Sequence, residues 1–398
     1  MSKLDEMIRE LCPDGVEYVK LGTLCSLITK QTGFDYTNHI KARLLMEPAE
    51  NAVPYIQTKF FAGKNFNYQT DYYVPMDIVE QFPKITLDEK CILFSIVGAS
   101  IGNVGLFPGE RKCFLGGAIC VAKVLPQYDV DYVYYCVESH NVQHQIRRKT
   151  KGAGQATITV EDIREFEIPL PPIEIQSEIV RILDNFTNLT AELTAELKAR
   201  GIQYSYYRNK LLTFHSDTKI VQLADIADIG TGSSNTNEAV EDGKYPFFVR
   251  SQEPLRKNDF EYDETAIITA GDGVGVGKVY HYVEGRYALH QRAYRIHINT
   301  PEVMPKYYFH YMKAKFLPYI QKTMFQGSVA SIRRPMLNAF PVPVPPLDVQ
   351  NRIVNVLDNF EKICSDLNIG LPAEIEARQK QYEYYRDKLL TFKEVAAT

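Results

Sequence analysis

The chain of 398 residues has no tryptophan, and its seven cysteines include no Cys-x-x-Cys pair. Scattered at positions 12, 25, 91, 113, 120, 136 and 364, the cysteines read as reduced core thiols, not as a disulfide framework or a zinc site. Long apolar runs are missing as well. Nothing approaches the roughly eighteen residues of a membrane span, and the opening MSKLDEMIREL is charged, without the apolar stretch of a signal peptide. A cytoplasmic location is expected. Nor is there an excess of one charge: 45 Lys and Arg stand against 49 Asp and Glu. Disorder is excluded by an apolar content of 45%, in which 26 Tyr and 20 Phe supply cores for two or three domains.

Catalytic motifs are equally scarce. An amino-methyltransferase needs an Asp/Asn/Ser-Pro-Pro-Tyr/Phe loop to hold the exocyclic amine of a base. The only Pro-Pro pairs, Pro171-Pro172 and Pro345-Pro346, sit in LPPI and VPPL. The run GDGVGVGKV at residues 271–279 lacks the Lys-Ser/Thr of a P-loop and runs into strand-like YHYV, so it reads as a strand turn. PDGVEYVK (13–20) and LDEK (87–90) are loose echoes of a nuclease site. His140 and His144 share a helical face without a third ligand. No catalytic residue and no metal site is expected on this chain.

What the chain does have is an internal repeat. Residues 166–186 read FEIPLPPIEIQSEIVRILDNF and residues 340–360 read FPVPVPPLDVQNRIVNVLDNF, with eleven of 21 positions identical. YYRNKLLTF at 206–214 returns as YYRDKLLTF at 384–392. The offsets, 174 and 178, leave one copy four residues longer. Each block follows a dissimilar body of over a hundred residues. PLPP and PVPP cannot continue a helix. After them Ile175, Ile179, Ile182, Phe186, Leu189 and Leu193, and likewise Val349, Ile353, Val356, Phe360, Ile363 and Leu367, fall at alternating spacings of 4 and 3. That spacing predicts two long helices paired through a narrow apolar seam. Breaks are expected at Gly201 and at Gly370 with Pro372.

Charge, balanced overall, is unevenly placed. Residues 139–160 hold four bases and no acid, residues 303–347 six bases and no acid, and residues 161–200 nine acids against four bases. Basic runs at matching places of both halves point to nucleic acid. The bodies share faint ancestry, CILFSIVGASIGNVG (91–105) resembling AIITAGDGVGVGKVY (266–280). Alternating apolar runs cut by glycine predict short strands in a mainly antiparallel sheet.

Body, PLPP…Q helix, second body and second such helix together resemble the specificity subunit of type I restriction-modification enzymes. The duplicated PLPPIEIQ/PVPPLDVQ blocks, the GASIGNVG/GDGVGVGKV turns and the tandem TAELTAEL at 190–197 carry the likeness, which covers almost the whole chain. The resemblance implies an α+β fold: two globular target-recognition domains separated by two long antiparallel coiled-coil helices in a pseudo-twofold tandem repeat. The expected boundaries are an N-terminal segment 1–20, a first recognition domain 21–165, a central constant region 166–215, a second recognition domain 216–339 and a C-terminal constant region 340–398. It further implies double-stranded DNA read in two half-sites, two docked methyltransferase subunits, and restriction subunits held through them. S-adenosylmethionine, ATP and magnesium then belong to those partners, and this chain needs no cofactor. A self-contained modification enzyme with fused recognition domains and a protein-only coiled-coil scaffold are the alternatives.

Lys and Arg answer phosphates, while Gln and Arg can pair with purine edges. The expected DNA contacts are therefore Lys30, Gln31, Gln57, Lys59, Arg147, Arg148, Lys149, Lys151 and Gln155 in the first body. In the second they are Arg250, Gln252, Arg256, Lys257, Lys322, Gln326, Arg333 and Arg334. Pro171, Pro172, Gln176, Pro345, Pro346 and Gln350, at matching junctions, are the expected partner-docking residues.

Overall fold

A computed structural model describes residues 3–33, 35–150, 156–323, 331–365 and 369–395. Lys151, Gln155, Gln326 and Leu367 lie outside the described residues. The chain forms two compact units, residues 1–192 with 376–398, and residues 193–375.

In the first unit one antiparallel sheet has the strand order Cys25–Lys30, Ile119–Val124, Cys91–Ser95, Val104–Phe107. A smaller mixed sheet adds Ala52–Ile56, parallel to Cys113–Leu115. The second unit has a single six-stranded sheet that begins with the same order: Ala227–Thr231, Ala293–Ile298, Tyr262–Ala270, Tyr280–Leu289. Tyr245–Phe248 then adds in parallel, as Ala52–Ile56 does. Two dissimilar sequences thus build one strand plan, because the alternation of apolar residues sets the faces and the glycines set the turns.

Helices cover these sheets. In the first unit Val130–Glu138 brings Tyr132, Tyr134 and Tyr135 into the core, and a break at Ser139 starts His140–Lys149. The second unit runs the corresponding stretch as one helix, Pro305–Thr323, with Pro318 inside it. The junction of body and constant block is built alike in both. Glu17–Lys20 pairs with Glu167–Leu170, and Ile220–Gln222 with Pro341–Pro343. Tyr132 and Tyr307 donate their hydroxyls to Pro169 O and Pro343 O, both at 2.9 Å.

The long helices depart from the expected seam. Ile175, Ile179 and Leu183 are fully buried in the core of the first body, and Ile353, Val354 and Leu357 serve the second body in the same way. A helix packed on a body needs a wider stripe than a two-helix seam, so its first turns turn toward the body, and Val356 and Ile363 remain exposed at 37% and 41%. Helix-to-helix contact is aromatic: Phe186 stacks on Tyr385 at 5.4 Å in the first unit, and Tyr207 on Phe360 at 5.8 Å in the second. As numbers rise along the first helix the partner's numbers fall, the order of antiparallel pairing. Gly201 makes no break. Ile173–Leu211 is one helix of 39 residues, because good helix formers on either side outweigh the roughly 1 kcal/mol cost of a glycine. The break at Gly370 is present: Ile369 and Gly370 are not helical, and the helix that follows, Leu371–Leu389, has Pro372 in its first turn.

In the first unit the last residues close onto the first. Val16 N donates to Lys393 O at 2.8 Å, Val395 N to Val16 O at 3.1 Å, and Tyr382 and Leu390 are buried in the body's core. Gly15, at φ 115°, permits this approach, since a Cβ there would lie 2.3 Å from Lys393 O.

Candidate nucleic-acid interface and docking junctions

The basic residues fall into two groups. Val142 and Ile146 anchor helix His140–Lys149, which leaves Arg147 and Arg148 exposed at its C-terminal end and Lys149 half-buried, 6.0 Å from the Phe166 ring. In the second unit Lys322 is exposed near the end of Pro305–Thr323, and Arg333 and Arg334 are exposed at the start of Arg334–Asn338. These cations stand in solvent, where a phosphate could reach them.

The other group is engaged within the protein. Lys257, 12% exposed, meets Glu238 at 2.7 Å and Asp259 at 3.4 Å, so its charge is answered internally. Arg256 donates to Gly243 O at 2.7 Å, Gln31 to Leu115 O at 2.5 Å, and Lys59 pairs with Asp71. Arg250 binds Asp272 at 2.6 Å, and Arg292, which the sequence did not single out, binds the same carboxylate at 3.1 Å. Burial works against the charge on Asp272, but the two guanidiniums hold its carboxyl below the usual range. Lys30 and Gln57 are half-buried, and Gln252 is exposed.

At the proline junctions the two glutamines point inward. Gln176 donates to Pro171 O at 2.8 Å and accepts from Asp129 N at 3.2 Å. Gln350 donates to Pro345 O at 2.8 Å and Glu302 O at 2.7 Å, and accepts from Met304 N at 2.8 Å. Both are buried, so they brace the junction and offer nothing to a partner. Pro171 and Pro345 are buried too, whereas Pro346 is exposed and Pro172 half so. Beside them Ile173 and Leu347 are 44% and 50% exposed, apolar surface at matching positions of the two halves.

Behind these junctions each unit holds a polar cluster. In the first, Tyr135 donates to Asp184 at 2.5 Å, and Lys64 bridges Asp184 and Asp131. In the second, His310 takes the tyrosine's place, with Nε2 2.7 Å from Asp358. Its Nδ1 is buried without a hydrogen bond among the described residues, 3.9 Å from Glu361. Burial pushes the His310 imidazole below its ordinary value, outweighing Glu361 and Asp358. His310, Asp358 and Glu361 are the one grouping with metal-ligand spacing among the described residues. Glu361 Oε1, however, already accepts from Lys313 at 2.7 Å and Tyr204 at 2.8 Å, which leaves the cluster charge-compensated. The equivalence of Tyr132 and Tyr307, each bonded to a junction proline carbonyl, sets His310 opposite Tyr135, a match that the offsets of 174 and 178 in the constant blocks do not signal.

Residues 13–200 and 215–377 match the family model described as type I restriction modification DNA specificity domain. The EcoR124I/EcoR124II specificity subunit of Escherichia coli is 36% identical over 261 residues, 58% of this chain and 63% of that subunit, so the chain spans under two thirds of that relative. A putative type I specificity subunit of Mycoplasma pneumoniae is 30% identical over 253 residues, 59% of this chain and 90% of its own length. The crystal structure of a type I restriction-modification S subunit from M. genitalium superposes with a TM-score of 0.58 at 16% identity, covering 94% of this chain and 96% of that one. A chain from a study of complex assembly and conformational transition of the type I R-M system gives 0.61 at 14%, covering 94% and 97%. At such identities the solved structures speak for the fold alone. The family match, which spans both halves of the internal repeat, shows that this chain belongs to the specificity subunits of type I restriction-modification enzymes.

Proposed function

We propose that this chain reads a two-part DNA sequence, one half-site per body, and carries no catalytic step of its own. Methylation and cleavage belong to partner subunits that hold S-adenosylmethionine, ATP and magnesium. The observation that carries this reading is the repetition of one strand plan with a solvent-exposed basic helix end in each half: Arg147 and Arg148 in one, Lys322 in the other. Phosphate contacts of this kind fix position and orientation, and the bodies supply the sequence preference. The edges at Pro172–Ile173 and Pro346–Leu347, with Ile173 and Leu347 exposed, then dock two methyltransferase subunits, one per half, through which restriction subunits join.

The long helix sets the spacer. Each TAEL unit adds four residues, about 6 Å of rise, or one to two base pairs at roughly 3.4 Å each. The test is methylome sequencing of a host that expresses the intact complex. Exchanging residues 21–165 for another member's first body should change one half of the methylated motif and leave the other. Deleting residues 194–197 should keep both halves and shorten the spacer. A change in both halves, or in neither, refutes one-body-one-half reading.

A further inference from the structure

The two bodies differ almost everywhere in sequence, yet one turn has left-handed glycines at matching places in both. It joins the central strands, at residues 96–103 in the first unit and 271–278 in the second. Gly98 and Gly273 both sit at φ 80°, and Gly102 and Gly277 at 88° and 67°. Each turn is tied to the segment that leads to its constant block. Gly98 N donates to Ala156 O and Ile158 N to Ile96 O, both at 3.1 Å, while Ile332 N donates to Gly271 O at 2.8 Å. Glycine is required: at Gly275 a Cβ would lie 2.5 Å from Arg250 O.

Each turn also packs on the helix that bears the exposed bases. Gly102 lies against Ile146 and accepts from the Gln143 amide at 3.1 Å, four residues before the Arg147–Arg148 pair that follows Ile146. Gly277 lies against Leu317 and Ile320, just before Lys322. Cationic helix end and turn are therefore one rigid piece in each body.

On this fixed frame the outward side chains differ. Ala99 and Asn103 are exposed in the first turn, Val274 and Lys278 at the corresponding places in the second. Val274 is 95% exposed, the highest value among the large hydrophobic residues described. No hydrogen-bond or ion-pair partner is found for the side chains of Asn103 or Lys278 among the described residues. A turn that only connects strands gains nothing from a valine held out in water by four glycines.

We propose that these turns read base edges, with Asn103 pairing with an adenine in one half-site, Lys278 with a guanine in the other, and Val274 against a thymine methyl. Asn is suited to adenine N6 and N7, Lys to guanine O6 and N7, and an apolar side chain to the methyl group. The inference rests on the DNA-reading function proposed above and names the positions that set its specificity.

The test uses the intact complex and duplexes carrying the motif found in the wild-type methylome. Asn103→Ala should relax one position in one half-site only, and Lys278→Ala and Val274→Ser one position each in the other. The ratio of motif to random-duplex affinity should fall about tenfold or more for Asn103→Ala and Lys278→Ala, with affinity for random duplex held. An unchanged motif and ratio in all three variants would overturn the assignment, as would equal weakening on every sequence, which marks a phosphate contact. Failure of the wild-type complex to prefer its motif over random duplex would instead sink the underlying function. Near-ultraviolet circular dichroism shows that each variant is folded, and the exposure of all three side chains makes that the expected result.

Discussion

The polar clusters behind the two junctions solve one problem with the charges exchanged. Tyr382 and Tyr204 are equivalent in the repeat, and each gives its hydroxyl to a glutamate. In the first unit that acid is Glu138, on the body helix, and Thr187 occupies the constant helix. In the second the body helix carries Lys313, and the acid has moved to the constant helix as Glu361. Burial works against the charge on Glu361, but Lys313, then His310 and Tyr204, hold it below the ordinary carboxylate range. Both positions of the pair differ between the halves, so the hydroxyl-to-carboxylate bond is present in each while its acceptor sits on a different element. A buried acceptor must be matched, but the backbone that presents it is free to vary.

The glutamine braces give the largest way to break the symmetry. Gln350 satisfies three backbone groups and Gln176 two. Gln350→Ala should cost about 3–5 kcal/mol and Gln176→Ala about 2–3, each stranding buried partners. Denaturant unfolding followed by a probe in each unit measures both, and equal losses would mean that the braces do not differ in kind.

Next comes the exchanged pair. Lys313→Glu alone should destabilise the second unit by about 2–3 kcal/mol, reduced from a fully buried pair because the site is partly exposed. Adding Glu361→Thr recreates the first unit's arrangement and should recover most of that loss. A double variant no better than the single one would show that the two positions are not coupled.

The smallest effect is one of pH. His310 is held neutral by burial, so the unfolded chain binds its proton more readily than the folded one. Its contribution is fully present above the ordinary imidazole value of about 6.5 and is lost as pH falls below it, through the depressed folded value. The first unit has Tyr135 there and lacks this dependence. Replacing His310→Gln should flatten the stability profile of the second unit between pH 7 and about 5. A slope that survives the substitution would assign it to other groups.

The constant blocks were legible because their signals are local: prolines stop a strand, 3-4 spacing makes a helix, and duplication repeats both. The turns were legible through glycine. What escaped depends on distant packing. Lys257 reads as a surface base until Glu238 and Asp259 fold against it, and Gln176 and Gln350 read as docking residues until their carbonyl partners surround them. Gly201 misled for the opposite reason, since a single helix breaker is a weak force inside a stretch of strong formers.

The closure of the last residues onto the first has a consequence for biosynthesis. Helix Leu371–Leu389 supplies Tyr382 to the first body's core, and the following Leu390 joins it there, yet residues 193–375 are made in between. At 5–20 residues per second a ribosome spends about 10–40 s on that stretch. Through that interval the first body lacks Tyr382, whose ring lies 6.4 Å from that of Tyr135, and by its end the second unit has its whole sequence. The half that is synthesised first is therefore the half that finishes folding last, and its exposed face is where a chaperone would be needed.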